Sequence, residues 1–254
     1  MIDLELDRRI PVPLYYQLQQ QLRQAKQQDI PVIALTPGLP PGKKPEDWNL
    51  LNVVKEPSSQ TGEDLAFWVI QDSPEGAEAI SLNSPEFEDF NEISKAFEET
   101  LEKGSPEFSI ATTVSSPVTD SGGGQTGVNR LATPMKKYPD ANYMFILSES
   151  WASTFLQAEV AAGRTDEVTA LGSNGDTTIP LLKEGKRIVI SAAASKGLGW
   201  FAVDALIRDW NGKPQEPEYV MQHTLVDSEN ADEYETEYVE AKYDTEEEWL
   251  KIWK

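Results

Sequence analysis

Two apolar runs of the sequence each end in a short group of polar residues. The run 143–147 (YMFIL) ends at 148–151 (SESW), and the run 168–172 (VTALG) ends at 173–176 (SNGD). Hydroxyl, amide and carboxylate groups can donate to and accept from the polar groups of a small molecule. Both groups of residues precede helix-like sequence, so we expect them at the ends of strands.

The surrounding pattern indicates an α/β fold. Apolar runs of about five residues that alternate with helical patterns are typical of a parallel sheet buried on both faces. In such sheets the ligand crevice lies at the carboxyl ends of the strands. Strands are predicted at 4–6, 30–35, 78–82, 108–114, 143–147, 168–172, 187–193 and 219–225, and helices at 13–28, 62–71, 91–103, 125–137 and 198–211.

Composition excludes several classes of function. The 254 residues include 22 Lys and Arg against 43 Asp and Glu, and the net charge of −21 repels nucleic acids and anionic membranes. The absence of cysteine excludes thiol catalysis, and a single histidine, His223, disfavours zinc sites and a serine triad. No EF-hand pattern is present, so we predict no metal and no cofactor.

Two glycine-containing segments resemble nucleotide-binding motifs without matching them. Residues 122–129 (GGGQTGVN) have the glycine spacing of a P-loop, but Val128 and Asn129 replace its Lys and Ser/Thr. Residues 197–202 (GLGWFA) fit a dinucleotide pattern, which leaves a nicotinamide-dependent oxidoreductase as an alternative. A Pro-rich segment follows this pattern where a strand ending in an acidic residue is expected.

An ordered series of segments resembles a known family. The segments QAKQQDIPVIAL, SPEFEDFNEISKAFEETL, MKKYPDANYMFILSESWA, VTALGSNGDTTIPLLKEGK and GWFAVDALIRDWNGK, with HTLVDSENADEY, are similar in order to type I periplasmic sugar-binding proteins of ABC importers. The resemblance runs from about residue 24 to the end of the chain. It implies two Rossmann-like lobes with parallel sheets, joined by three crossings, that close on one solute.

The same resemblance implies the lobe boundaries. Residues 1–73 with 195–222 would form the first lobe, and 74–194 with 223–254 the second. Members of the family begin with two further β-α units, so the first lobe is expected to be incomplete. We therefore expect weak sugar binding and an exposed sheet edge near 30–35 that favours self-association.

The beginning of the chain carries a second, weaker resemblance. Residues 4–25 look like the opening helix of GntR-type winged-helix repressors, some of which carry a sugar-sensing domain of this fold. The recognition helix and the wing that should follow are absent. A ligand-sensing domain of a transcription regulator is therefore an alternative function.

The family resemblance implies a set of ligand-binding residues in strand-end loops. These residues are Phe87, Glu88, Ser148, Glu149, Trp151, Asn174, Asp176, Ser195 and Lys196. Ser148 and Glu149 stand where ribose-binding-like members carry Asn-Asp, and Asn174 stands where many relatives have aspartate. A glutamine common in relatives is matched here by Ala193 or Ala194, so one expected contact is missing.

Each of these assignments has an alternative. Trp151 could stack on a sugar ring or pack in the core at the start of a helix. Asn174 and Gly175 could simply form a turn, with Asp176 as a helix cap, and Phe87 and Glu88 could lie in a solvated loop. The alternatives are left open by the sequence.

The predicted function follows from this resemblance. We expect a non-enzymatic solute-binding protein for a sugar or polyol that feeds an ABC permease, periplasmic or extracellular by resemblance. The opening residues 1–13 lack the features of a signal peptide.

Overall fold

The structure is a computed structural model that describes residues 7, 9, 11–35, 43–175, 177–193, 195–216, 219–234 and 246–253. The helices are α1 (Leu14–Gln27), α2 (Ser58–Asp72), α3 (Glu88–Gly104), α4 (Gln125–Lys137), α5 (Ala152–Ala162), α6 (Ile179–Lys183), α7 (Ser195–Trp210) and α8 (Glu246–Ile252). The strands are β1 (Ile33–Leu35), β2 (Asn52–Lys55), β3 (Ala77–Asn83), β4 (Phe108–Ser115), β5 (Tyr143–Ser148), β6 (Thr169–Asn174), β7 (Ile188–Ala193), β8 (Tyr219–Val220) and β9 (His223–Val226). The predicted alternation of strands and helices is confirmed. The strand predicted at 4–6 lies outside the described residues.

The chain divides into two compact units. The first draws on residues 1–56, 196–221 and 242–254, and the second on 57–195 and 222–241. Each unit contains its own sheet. The chain therefore has the predicted α/β architecture with two sheet-containing units.

The unit boundaries differ from the predicted lobes in two places. Helix α2, predicted in the first lobe, packs against α3 and places Leu65 and Val69 in the core of the second unit. Helix α8, predicted on the second lobe, belongs to the first unit, where Trp249 meets Phe201 at 5.5 Å between ring centroids. In both cases apolar side chains determine the unit to which the helix belongs.

The sheet of the first unit has the order β1-β2-β8, with parallel pairing throughout. Strand β1 begins at Ile33, later than predicted, and lies at the edge of the sheet among the described residues. Strand β2 was not predicted, although it lies at the centre. Val54 of β2 packs with Ala205 and Tyr219 in the buried cluster of this unit.

The sheet of the second unit has the order β4-β3-β5-β6-β7-β9. Its pairs are parallel except for β7 with β9. Every residue of β5 and of β7 is buried, because helices cover both faces of a parallel sheet. Helices α2 and α3 pack against each other, as do α4 and α5.

The strand order of the second unit reverses direction between β3 and β5. From β3 the chain passes outward to β4 and then returns to β5 on the other side of β3. In open α/β sheets, loops that leave such a point on opposite faces form a crevice at the carboxyl ends of the strands. The fold therefore places the loops after β3 and β5 where a ligand site is expected.

Candidate functional site

Phe87 and Glu88 lie in the loop that leads from β3 into α3. Phe87 precedes the helix and is 52% exposed, and its ring meets Phe90 edge-on at 5.6 Å. Glu88 is exposed in the first turn of α3, where burial and the charges of Glu92 and Glu88 raise the pKa of Asp89. Both predicted residues are accessible, so their contact with a ligand stays a prediction.

Ser148 and Glu149 lie at the end of β5, as predicted. Ser148 is buried, and its hydroxyl lies 2.7 Å from the hydroxyl of Ser150. Glu149 begins a short 3-10 turn, and its Oε2 accepts hydrogen bonds from the backbone N–H and from the hydroxyl of Thr177, both at 2.6 Å. The Glu149 carboxylate therefore joins the loop after β5 to the loop after β6.

Trp151 does not present a stacking surface in this structure. Its side chain is 0% exposed and belongs to the core of the second unit. A ring that stacks on a sugar must have an accessible face, so the burial of Trp151 favours the core-packing alternative. The indole Nε1 has no hydrogen-bond partner among the described residues.

A strained segment of backbone precedes Ser148. Leu147 has a φ of 69°, in the left-handed region that is unfavourable for a residue with a Cβ. The pairing of β5 with β6 shifts register between Phe145 and Ser148, as in a β-bulge. Ser173 donates its hydroxyl to the Leu147 carbonyl at 2.9 Å and so holds this conformation.

Asn174 ends β6 and is also left-handed, with a φ of 71°. Gly175 follows with a φ of 117°, a conformation that strains any residue with a Cβ and therefore favours glycine. Thr178 donates both its N–H, at 3.1 Å, and its hydroxyl, at 2.9 Å, to the Gly175 carbonyl. The turn proposed as an alternative for Asn174 and Gly175 is present, and it leaves the Asn174 side chain partly exposed.

The remaining predicted residues are only partly described. Asp176 lies outside the described residues. Ser195 and Lys196 form the beginning of α7, where the chain passes from the second unit to the first. Their roles as ligand contacts stay predictions.

A polar cluster after β4 was missed by the sequence reasoning. Asp120 accepts hydrogen bonds from Nε of Arg130 at 2.6 Å and from the hydroxyl of Ser116 at 2.9 Å. The 3-10 turn Val118–Gly122, which carries Asp120, packs against the turn at 149–151. Asp120 lies in the 3-10 turn and Arg130 in α4, so their contact depends on how two elements pack and no local pattern in the sequence indicates it.

The two nucleotide-like motifs have structural explanations. Gly127 lies in α4, where an added Cβ would lie 2.0 Å from the Asp120 carbonyl oxygen, so its role is close packing. Gly199 lies inside α7, and an added Cβ there meets nothing within 4 Å. A dinucleotide motif places its first glycine in the tight turn between strand and helix, whereas Gly197 and Gly199 both lie inside α7.

Two surface cavities lie away from the predicted residues. One of about 290 Å³ in the first unit is lined by residues such as Lys26 and Asp209, and one of about 250 Å³ in the second unit by residues such as Trp68 and Arg187. Within the described ranges, no group of acidic or histidine side chains converges as a metal site. None of the helices in the described residues has the length and apolar character of a membrane span.

The fold is similar to that of solved sugar-binding proteins. An arabinose-binding protein from Geobacillus stearothermophilus matches with a TM-score of 0.71 and 16% identity, covering 85% of this chain and 74% of that protein. A periplasmic solute-binding protein of an ABC transporter from Actinobacillus succinogenes, solved with bound D-allose, matches with a TM-score of 0.75 and 18% identity, covering 86% and 76%. A Caulobacter myo-inositol-binding protein matches with a TM-score of 0.69 and 19% identity, covering 86% and 73%.

The sequence comparisons add no closer relative. No protein-family model matches the chain, and no curated protein matches it in sequence. The structural neighbours described above are named as binding proteins, not as enzymes. The predicted fold is thus confirmed.

Proposed function

We propose that this protein binds a monosaccharide or a polyol and delivers it to an ABC permease outside the cytoplasm. The observation that carries the proposal is the row of polar side chains at the carboxyl ends of neighbouring strands in the second unit. They lie at the ends of β5 and β6, next to the point where the strand order reverses, in a fold similar to that of a solute-binding protein solved with bound D-allose. The neighbours' ligands, arabinose, allose and inositol, define the class of small molecule to be tested.

The polar groups at the carboxyl ends of these strands suit a neutral polyhydroxy ligand. Asn174 is partly exposed and offers an amide that can both donate and accept. Ser150 is exposed, and its hydroxyl, 2.7 Å from that of Ser148, has the same capacity. Arg130 and Asp120 offset each other's charge as an ion pair. A balanced set of donors and acceptors favours hydroxyl groups over a charged ligand.

Isothermal titration calorimetry with D-allose, L-arabinose, D-fucose and myo-inositol tests the proposal. We expect binding with a dissociation constant of about 1 µM to 1 mM for at least one of them, which corresponds to about 4 to 8 kcal/mol. Asn174→Ala should weaken that binding by about tenfold, because it removes a hydrogen-bonding amide. Absence of heat with every compound would count against the proposal.

A matched control separates a local effect from a general one. Asp140→Ala changes an exposed residue in the turn before β5, at the opposite end of the strand from Ser148. This variant should bind as the unchanged chain does. Equal losses in Asn174→Ala and Asp140→Ala would place the site elsewhere.

A further inference from the structure

The loop after β6 is held in an unusual backbone conformation. Two consecutive residues, Asn174 and Gly175, have positive φ values of 71° and 117°. An asparagine in this region costs free energy relative to the right-handed conformation, so the surroundings must stabilise it. Two sets of contacts hold the loop.

One contact lies within the loop itself. The Gly175 carbonyl accepts hydrogen bonds from both the N–H and the hydroxyl of Thr178. This pair closes the turn at its helical end. It leaves the orientation of the turn relative to the neighbouring loop undetermined.

The second contact comes from the neighbouring loop. Glu149 lies 28 residues earlier in the chain, and its Oε2 accepts from the N–H and the hydroxyl of Thr177, each at 2.6 Å. Hydrogen bonds to an ionised acceptor are shorter and stronger than neutral ones. The carboxylate therefore fastens the loop after β6 to the turn after β5.

We infer that Glu149 is a positioning residue for sugar binding, which acts through Thr177 to set the loop that presents Asn174. This inference rests on the proposed function and assigns a more specific role to a residue predicted as a direct contact. One carboxylate oxygen already receives two short hydrogen bonds, which commits much of its accepting capacity to the loop. The affinity for the sugar then depends on the geometry of the loop rather than on the negative charge of Glu149.

A double-mutant cycle with Glu149 and Thr177 tests the inference by sugar titration. Glu149→Ala should raise the dissociation constant about tenfold and Thr177→Val about threefold, because each removes part of the same contact. The double variant should be no weaker than Glu149→Ala alone. Glu149→Gln should stay within about threefold of the unchanged chain, since the amide oxygen can still accept both hydrogen bonds.

The opposite pattern would overturn the inference. If Glu149 contacts the sugar directly through its charge, Glu149→Gln should be as weak as Glu149→Ala, and Thr177→Val should bind normally. Losses that simply add in the double variant would also contradict the positioning role. Glu184→Ala, which changes an exposed glutamate after α6, is the control and should bind as the unchanged chain does.

Hydrogen exchange at the Thr177 amide separates this inference from the proposed function. Exchange should accelerate at least about tenfold in Glu149→Ala and remain slow in Glu149→Gln, with or without a sugar. Unchanged exchange in Glu149→Ala would reject the positioning role even if sugars bind. If no sugar binds the unchanged chain, the proposed function fails, whereas the exchange result still decides whether Glu149 positions the loop.

Discussion

The two units stabilise their sheets by different means. In the second unit a continuous apolar cluster lies between the sheet and its helices, and the fully buried rings of Phe97 and Phe145 stack at 4.8 Å. In the first unit the buried cluster of the described residues is small and is formed by Val54, Ala205 and Tyr219. The second sheet is thus held mainly by apolar burial.

The first unit adds a buried polar centre to its small core. Asp204, 2% exposed, accepts hydrogen bonds from the hydroxyl of Tyr219, Nε of Arg208 and Nε1 of Trp253. Burial opposes ionisation of this carboxyl group, but the three donors hold the pKa of Asp204 below its usual value. A unit with a small apolar cluster can thus be stabilised by a buried polar group with satisfied hydrogen bonds, which here joins α7 to β8 and to the end of α8.

Removal of a stacked ring should have the largest effect and should be confined to the second unit. Phe97→Ala leaves a cavity in a well-packed core, and we expect a loss of about 3 to 5 kcal/mol in the free energy of unfolding. Phe201→Ala, in the less buried aromatic cluster of the first unit, should cause a smaller loss in the free energy of unfolding. Guanidinium denaturation followed by hydrogen exchange in each unit measures both, and equal losses would contradict the contrast.

Acid should weaken the second unit through its buried histidine. Burial lowers the pKa of His223 to about 4, below the value of about 6.5 in an unfolded chain. The folded state favours the neutral ring. The contribution of His223 to the free energy of unfolding is therefore fully present above about pH 6.5 and is lost as the pH falls through 4. We expect a loss of about 2 to 3 kcal/mol over this window.

The control for this pH effect is His223→Gln. This variant cannot gain a proton in the same window, so its stability should change less between pH 6.5 and 4.5. Circular dichroism during denaturation at each pH gives the comparison. Identical pH profiles for the two proteins would assign the effect to the carboxylates of the chain.

The smallest effect should come from the polar centre of the first unit. Trp253→Phe keeps an aromatic ring near Trp249 and Trp200 but removes one of three donors to Asp204. We expect a loss of about 1 kcal/mol, detectable as faster hydrogen exchange in α8. A loss as large as that of Phe97→Ala would show that the first unit depends on this one hydrogen bond.

The second unit was largely predictable from the sequence because its strands are buried on both faces. Runs such as 143–147 and 188–190 are continuously apolar, and the structure confirms strands there. Strand β2 was missed because Asn52–Lys55 contains only two apolar residues between polar ones. Its partner β8 lies far along the chain, so no local pattern indicates the pairing.

The strand ends that carry the candidate site could be predicted from the sequence, but the side-chain contacts at them could not. Ser148 and Glu149 lie at the strand end where the sequence placed them. The burial of Trp151 could not be predicted, because an aromatic residue after a strand packs in a core as readily as it faces a ligand. The link from Glu149 to Thr177 spans 28 residues and depends on the geometry of two loops.

The single histidine gives this protein a natural spectroscopic probe. Nδ1 of His223 lies 3.2 Å from the Thr61 hydroxyl on α2 and 3.1 Å from the Ser191 hydroxyl on β7. Each of these three residues lies within a few positions of a point where the chain passes between the units. Because the chain contains one imidazole, its two nitrogen resonances belong to His223 without any assignment to a residue. A ligand that moves any of these three residues should shift the resonances in an NMR spectrum of the whole protein.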